Sequence, residues 1–295
     1  MIWAKHKGNS QGTPQSVTTS LLPRSRWNVI DLVTVVNREI IPTYYFFDID
    51  MTSAQQWRCQ LTGQGEHISI TAILLKAIAT AQMAHPISRT FMLPNGKREL
   101  FSHITAGFTV EKSVGDQPCV FFGVINDAQR KSITRITSEL NDYADKNIDQ
   151  LAQLSVENYF STVPWIVRQV ILWLCKRSPS LRRKYLGATF GLSSLGKLGV
   201  QAVIGPCVCT CTFGVGALED RPVVVNGAIE VRSMLTLTLG ADTRVMDLAE
   251  AQAFLAEIKR LVERDMEELI VGDDCIEDSP FADQRNKGKL LQSLG

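Results

Sequence analysis

A strand, a short polar turn and a long amphipathic helix follow one another in residues 235–254, LTLTLGADTRVMDLAEAQAF. Leucines alternate with threonines at the start of this stretch, which is the pattern of a strand with one buried face. We predict that the strand ends at Gly240. Asp247, with Glu250 three residues later, has the form of a helix N-cap. Polar groups between a strand and a helix often carry function, so this turn is the first candidate site.

The composition excludes several broad classes of protein. The chain has 295 residues and 45% hydrophobic content, enough for one large or two small domains with a substantial core. Because 31 Lys and Arg residues balance 30 Asp and Glu residues, we predict no nucleic-acid partner. The sequence shows neither a signal-peptide pattern nor an apolar run of membrane-spanning length, which predicts a cytoplasmic protein. Seven cysteines, an odd number, favour reduced thiols over a disulfide framework.

The polar ends of the chain set the domain boundaries. We predict a flexible arm at residues 1–22 and a flexible tail at residues 273–295, because both contain little that could be buried. Residues 23–272 form one domain in this interpretation.

Apolar periodicity and turn residues predict a mixed order of helices and strands within the domain. The predicted helices are residues 52–60, 69–85 and a segment capped by Ser132; the predicted strands are 43–50, 104–110, 119–125, 200–204 and 207–216. Hairpins are predicted at Asn95-Gly96 and Asn226-Gly227, because both residues of such turns tolerate positive φ. The fold class is therefore α/β.

Three cysteines, Cys207, Cys209 and Cys211, alternate along the chain and are predicted to face one side of a strand as small buried side chains. They lack the Cys-x-x-Cys spacing of a metal knuckle, so no metal site is predicted. The glycines of FGVGALED lack the spacing of a nucleotide-binding loop.

Residues 163–186, VPWIVRQVILWLCKRSPSLRRKYL, carry six positive charges and no acids, and their first half is apolar. A helix ending at Pro179 is predicted. Three interpretations remain: a packed helix with a solvated basic end, a membrane-surface helix, or the wall of an apolar tunnel that attracts phosphates. In the last two, Arg182, Arg183 and Lys184 face the membrane or the phosphates.

The stretches TFGLSSLGKLG and FGVGALEDRPVVVNGAIEVRSMLTLTLGADTRVMDLAEAQAFLAEIKRLVE resemble the catalytic domain of dihydrolipoyl acyltransferases, the relatives of chloramphenicol acetyltransferase. The resemblance covers roughly residues 29–270, with 150–187 as an insertion. It implies a coenzyme A-dependent acyltransferase fold, a mixed sheet flanked by helices. It also implies a homotrimer, whose sites form between neighbouring subunits.

The resemblance also implies the substrates. No lipoyl module precedes the domain in this sequence, which predicts a stand-alone member. Such a protein takes acyl groups from a thioester of coenzyme A or of an acyl carrier protein. No tightly bound cofactor is implied.

The active-site motif of that family reads Asp-His-Arg-x-x-Asp-Gly, and its histidine is the general base. The same place here has Asp242, Thr243, Arg244, Asp247 and Leu248. Because a threonine hydroxyl cannot accept a proton near neutral pH, the family mechanism cannot run unaltered. Asp242 and Arg244 are expected to pair and hold the turn, as the resemblance implies.

Two further residues are candidates for the site. Ser193 occupies the place of the family hydroxyl that binds the oxyanion, although a turn hydroxyl bonded to local backbone is the alternative. His103 opens a strand where the family often has a histidine, so it is either structural or a substitute base. Asp247 lines the site in the family, although its capping role explains it without a substrate.

Three functions follow from these residues. The first is transfer of an acyl group from a thioester to a small, hydrophobic acceptor in a biosynthetic pathway, without the histidine base. The second is a scaffold that serves another reaction, such as cyclisation of a biosynthetic intermediate, or that only binds. The third is a non-catalytic protein held at a membrane surface by residues 163–186.

Overall fold

The computed structural model describes residues 40–63, 65–93, 96–114, 117–178 and 187–271, together with residues 27, 30, 31, 33 and 181. The predicted arm at 1–22 and the predicted tail at 273–295 lie outside the described residues.

The described strands are β1 (Pro42–Asp50), β2 (Thr90–Met92), β3 (Arg98–Leu100), β4 (Thr105–Val114), β5 (Gln117–Asn126), β6 (Phe190–Ser194), β7 (Cys211–Val225) and β8 (Ala228–Asp242). The described helices are α1 (Thr52–Gly63), α2 (Ile70–Ala84), α3 (Ile133–Asp145), α4 (Ala152–Thr162), α5 (Trp165–Arg177), α6 (Leu248–Glu263) and α7 (Met266–Val271). Short 3-10 turns span Pro86–Arg89, Ile148–Gln150 and Gly196–Leu198.

Six strands form one sheet in the order β1-β8-β7-β6-β4-β5, and β2 pairs with β3 apart from it. The pairs β7–β6 and β6–β4 are parallel and the others are antiparallel. The prediction of a mixed α/β fold is therefore confirmed. Both hairpin predictions also hold: β2 pairs with β3 around the Asn95-Gly96 turn, of which Asn95 is not described, and Asn226 and Gly227 join β7 to β8 with positive φ.

The leucine strand lies inside the sheet, because β8 pairs with β1 on one side and with β7 on the other. Leu235, Leu237 and Leu239 are buried in the main core, where α6 contributes Phe254 and Ile258. The alternation read from the sequence thus identified the core face correctly. Burial of such leucine side chains stabilises the fold by roughly 2 kcal/mol each.

The predicted end of this strand at Gly240 is wrong, because β8 continues to Asp242. A Cβ atom at Gly240 would lie 2.5 Å from the Sγ atom of Cys207 and 3.0 Å from the ring of Tyr44. Glycine is therefore required there by close packing on the sheet, and not because the strand stops.

The predicted strand at residues 200–204 is also wrong: residues 200–210, here called the crossing segment, pass over the face of the sheet opposite the core. The Thr238 hydroxyl donates to the carbonyl of Val203, and the amide of Ala217 donates to the carbonyl of Val200 at 2.7 Å. At Gly214 and Gly216 a Cβ atom would overlap the backbone of this segment. The glycines of FGVG therefore make room for a second backbone.

The three alternating cysteines do not share a strand, because β7 begins only at Cys211. Cys207 and Cys209 belong to the crossing segment. Burial raises the pKa of the Cys207 and Cys211 thiols, which keeps them protonated and unreactive near neutral pH. The interpretation of Cys207 and Cys211 as small buried side chains is confirmed, whereas Cys209 is only partly buried.

The single helix predicted to end at Pro179 is shorter, with α5 ending at Arg177. A separate helix, α4, precedes it within the predicted helical insertion at 150–187. Pro164 stands between them as the N-cap of α5, since its ring fixes φ and it has no amide hydrogen to donate. Among the described residues, no helix has the length and apolar character needed to cross a bilayer.

Candidate active site

The turn of residues 242–247, here called the Asp242 turn, is held by one buried carboxylate. Asp242 Oδ1 accepts from the amide of Arg244 at 3.1 Å and from its Nε at 2.9 Å. Asp242 Oδ2 accepts from Nη2 of the same arginine at 2.6 Å. The Asp242 carbonyl accepts from the amides of Val245 and Met246, both at 3.0 Å. These bonds fix the turn directly at the end of β8.

Thr243 lies at the exposed tip of the Asp242 turn. Its hydroxyl donates to the carbonyl of Ile41 at 2.7 Å, and its amide donates to the same carbonyl at 3.0 Å. The side chain therefore ties the turn to the residue that precedes β1. A hydroxyl bonded in this way can bind and orient a ligand but supplies no base near neutral pH.

Asp247 ends the turn as the N-cap of α6. Its Oδ1 accepts from the amide of Glu250 at 2.8 Å, and the Glu250 side chain accepts from the amide of Asp247 at 2.8 Å. The predicted capping box is confirmed. Leu248, which follows in the first turn of α6, is exposed.

Ser193 lies in β6 on the face of the sheet opposite the core, since its neighbour Leu192 is buried in the core. The Thr109 hydroxyl donates to Ser193 Oγ at 3.2 Å. Because Ser193 Oγ already accepts this bond, its own hydroxyl hydrogen can be donated to a ligand. The side chain is partly exposed, so a ligand can reach it.

Within one chain the sheet separates Ser193 from Thr243. Ser193 is in register with Gly214, and Gly214 is in register with Thr238. Thr243 comes five residues after Thr238, so the two hydroxyls are separated by about 16 Å along the strand direction at ~3.3 Å per residue. One chain alone does not bring them to the same reacting atom.

His103 lies near the same sheet edge as the Asp242 turn but on the far side of two strands. It precedes β4, and β6 and β7 lie between β4 and β8. With strands spaced ~4.8 Å apart, His103 and Thr243 are separated by about 14 Å or more across the sheet. The His103 ring is exposed, and its Nδ1 lies 3.4 Å from the Asp127 carboxylate.

A cleft opens beside the Asp242 turn, and its walls include Arg89, Phe101, Cys209 and Arg244 together with Asp242. Arg89 is only 8% exposed. Its Nη1 donates to the carbonyls of Phe101 at 2.8 Å and Ser102 at 3.5 Å, whereas its buried Nε has no hydrogen-bond partner.

Arg89 brings a positive charge into this cleft that no carboxylate of the described residues neutralises. No Asp or Glu of the described residues forms an ion pair with Arg89, and burial lowers the pKa of its guanidinium. The carboxylate of Asp242 is already taken by Arg244. The buried Arg89 guanidinium therefore has no carboxylate partner among the described residues, and it favours an anionic group in the cleft.

Sequence analysis missed Arg89. It stands alone at the end of the 3-10 turn Pro86–Arg89, and neither spacing nor a neighbouring acid distinguishes it from a surface arginine. What distinguishes Arg89 is that its side chain is buried without an acidic partner among the described residues. This can be seen only in the folded chain.

The basic candidates Arg182, Arg183 and Lys184 lie outside the described residues. In the part of the chain that the structure does describe, no group of His, Cys, Asp or Glu side chains could hold a metal ion.

Residues 14–157 and 177–271 match the family of 2-oxoacid dehydrogenases acyltransferase (catalytic domain). The chain belongs to this family. The family match leaves residues 158–176 unmatched, which is shorter than the insertion predicted at 150–187 but contains most of α5.

Curated relatives agree with this assignment. The acetyltransferase component of the Rhizobium meliloti pyruvate dehydrogenase complex is 24% identical over 248 residues, which are 80% of this chain and 48% of the relative. The lipoamide acyltransferase component of the Pseudomonas putida branched-chain alpha-keto acid dehydrogenase complex is 36% identical over 92 residues, 30% of this chain and 22% of the relative. The chain thus spans half or less of the length of these relatives.

Solved structures show the same fold. A probable dihydrolipoamide acetyltransferase from Listeria monocytogenes superposes with a TM-score of 0.64 at 21% identity, over 89% of this chain and 97% of that one. The Azotobacter vinelandii dihydrolipoamide acetyltransferase, studied for the catalytic roles of a serine, a histidine and an asparagine, gives 0.65 at 21% identity over 86% and 94%. The predicted acyltransferase fold is therefore confirmed.

Proposed function

We propose that this protein transfers an acyl group from a thioester of coenzyme A or of an acyl carrier protein to a small acceptor, without a histidine base. The observation that carries the proposal is Ser193, whose partly exposed hydroxyl stands on the face of the sheet opposite the core, with its oxygen already bonded to Thr109. Such a hydroxyl is placed to donate to the oxyanion of a tetrahedral intermediate.

The Asp242 turn serves as the frame of the site in this proposal. Thr243 and Asp247 line it, and the pair Asp242–Arg244 fixes its shape. Positioned acid–base catalysis is worth about 10²–10⁴ in rate, whereas orientation and oxyanion stabilisation can each supply as much. An acceptor that is already ionised, such as a thiolate, can therefore react without a base.

The separation of Ser193 from Thr243 favours a homotrimer with sites between subunits. Because about 16 Å of sheet lies between the two side chains in one chain, a site that uses both needs Ser193 from one copy and Thr243 from another. The sheet face opposite the core also exposes Tyr44 and Phe46, and Ile41 is exposed beside β1, which leaves apolar surface for a neighbouring subunit.

The buried charge of Arg89 indicates which chemical group a substrate carries. A buried guanidinium without a carboxylate costs free energy that a bound anion would recover. We therefore expect a carboxylate or phosphate group on one of the two substrates to contact Arg89. The Arg89 Nε is free to pair with such a group.

The test measures release of free coenzyme A by chromatography, with acyl-coenzyme A donors and acceptors that differ only by a terminal carboxylate. We expect release with at least one thiol, amine or alcohol acceptor. We also expect a carboxylate-bearing substrate to be used at least tenfold better than its neutral analogue, a preference that Arg89→Met removes.

Arg130→Met, which changes an exposed arginine away from the cleft, is the control and should keep the preference. Equal use of charged and neutral substrates would exclude the role of Arg89 while leaving acyl transfer intact. Absence of release with every donor and acceptor would instead favour a scaffold that serves another reaction, such as a cyclisation, or that only binds.

A further inference from the structure

Helix α5 buries only a narrow side, which includes an arginine, and leaves most of its large apolar side chains exposed. Arg168, Leu172 and Cys175 follow one another at spacings of four and three residues and are all buried. Its exposed large apolar side chains are Trp165, Ile166, Val167, Val170, Ile171, Trp173 and Leu174. An amphipathic helix of a water-soluble domain normally buries most of its large apolar side chains.

The buried Arg168 fixes this orientation. Its Nε lies 2.7 Å from the Asp31 carboxylate, and both side chains are 5% exposed. Its Nη1 donates to the carbonyls of Ser161 at 3.0 Å and Val163 at 3.2 Å. Gln169 donates to the other oxygen of Asp31 at 3.0 Å. Rotating the helix to bury its apolar side would break this ion pair, which costs several kcal/mol.

Six of these apolar side chains lie on one exposed side of the helix, here called the α5 face. At about 100° per residue, it spans an arc of roughly 160°. The apolar members of this arc are Trp173, Ile166, Val170, Leu174, Val167 and Ile171, and the exposed Arg177 lies within it at the C-terminal end. Exposed apolar surface of this extent marks an interaction site.

The segment of the sequence that contains α5 carries charges of one sign. Residues 158–218 contain no Asp or Glu, and their cations are Arg168, Lys176, Arg177, Arg182, Arg183, Lys184 and Lys197. Of these, Arg168 is neutralised by Asp31, and Arg177 is exposed at the C-terminal end of the helix. A partner that suits both the apolar arc and the cations of this segment has an apolar interior below an anionic surface.

We propose that the α5 face binds the surface of an anionic lipid bilayer. The helix has 13 residues and so is about 20 Å long, too short to span the hydrocarbon core but suited to lie in the plane of the headgroups. The exposed tryptophan of this face, Trp173, has the amphipathic ring that is enriched at this depth.

The comparison with the family supports a role of α5 that is particular to this chain. Residues 158–176 are unmatched by the family of acyltransferase catalytic domains, so most of this helix is an addition to the shared fold. The bilayer contact is independent of acyl transfer, since no residue of the candidate active site belongs to α5.

Sedimentation with vesicles tests the proposal on the full chain. We expect binding to phosphatidylcholine vesicles that contain about 30% phosphatidylglycerol to be at least tenfold stronger than binding to pure phosphatidylcholine, and weaker at high salt. The double variant Ile166→Ser with Trp173→Ser should lower binding at least tenfold, and Arg177→Gln about fivefold.

The matched control is Ile229→Ser with Val231→Ser, which changes two equally exposed apolar side chains on β8 and should bind as the wild type does. Equal loss in both double variants, or wild-type binding to anionic vesicles no stronger than to neutral ones, would overturn the proposal. The proposal would also be overturned if the wild type did not bind vesicles and the Ile166→Ser, Trp173→Ser variant lost self-association. The α5 face would then join two copies of the chain.

Discussion

Ser193→Ala should lower the rate of acyl transfer by about 10²–10³ while leaving the KM for the acyl donor nearly unchanged. The reason is that the hydroxyl donates only to the charge that develops on the reacting oxygen, and not to the ground-state thioester. Because Thr109 already donates to Ser193 Oγ, the serine is held in place before substrate arrives. The measurement is coenzyme A release under saturating donor.

Ser194→Ala is the control for this variant. Ser194 is the next residue of β6, has the same side chain and is exposed, but alternation along the strand turns it toward the opposite side of the sheet from Ser193. Its removal should leave the rate within about twofold, because a surface hydroxyl contributes little. A full rate for Ser193→Ala, or an equal loss for both variants, would remove Ser193 from the mechanism.

Gly216→Ala should destabilise the fold by about 3 kcal/mol and lower the Tm by roughly 10 °C. A Cβ atom at this position would overlap the backbone of Gln201, which cannot move aside as a flexible side chain can. Accommodating the methyl group lifts the crossing segment from the sheet and weakens the bond between Ala217 and Val200. The free energy of unfolding in denaturant and the Tm measure the effect.

Gly205→Ala provides the comparison inside the same segment. A Cβ atom at Gly205 would meet nothing within 4 Å, and its φ is not in the left-handed region. We expect unchanged stability or a gain of up to about 1 kcal/mol, because alanine restricts the unfolded chain. If Gly216→Ala were as harmless as Gly205→Ala, the close packing of residues 200–210 on β7 would be incorrect.

The crossing segment also shows where sequence patterns stop being informative. Val200 to Ile204 has strand-like composition, yet β7 and β8 already have partners on both sides, so no sheet edge is open to it. The glycines that receive it, Gly214 and Gly216, are recognisable only once β7 is in place. By contrast, the leucine strand and the capping box of Asp247 depend on neighbouring residues, and the sequence predicted both.

Helix α5 illustrates a second limit. Its composition predicts a helix, but periodicity cannot tell which side faces the protein when a single arginine, Arg168, finds a buried partner 137 residues earlier at Asp31. The geometry of the candidate site could not be predicted from local sequence patterns either. Ser193, Thr243 and His103 were chosen one by one from motifs, whereas their separation follows from strand register across the whole sheet.

The pH dependence of coenzyme A release tests most directly whether the site works without a histidine base. With a thiol acceptor such as dihydrolipoamide, the account predicts a rate that rises about tenfold per pH unit from pH ~6 to ~8, following the thiolate, whose pKa is about 8.5 or higher. The Thr243→His variant, which restores the imidazole of the family motif, is the comparison. A wild-type rate that levels off above pH ~7 with an inflection near ~6.5, the ordinary pKa of histidine, would contradict the account.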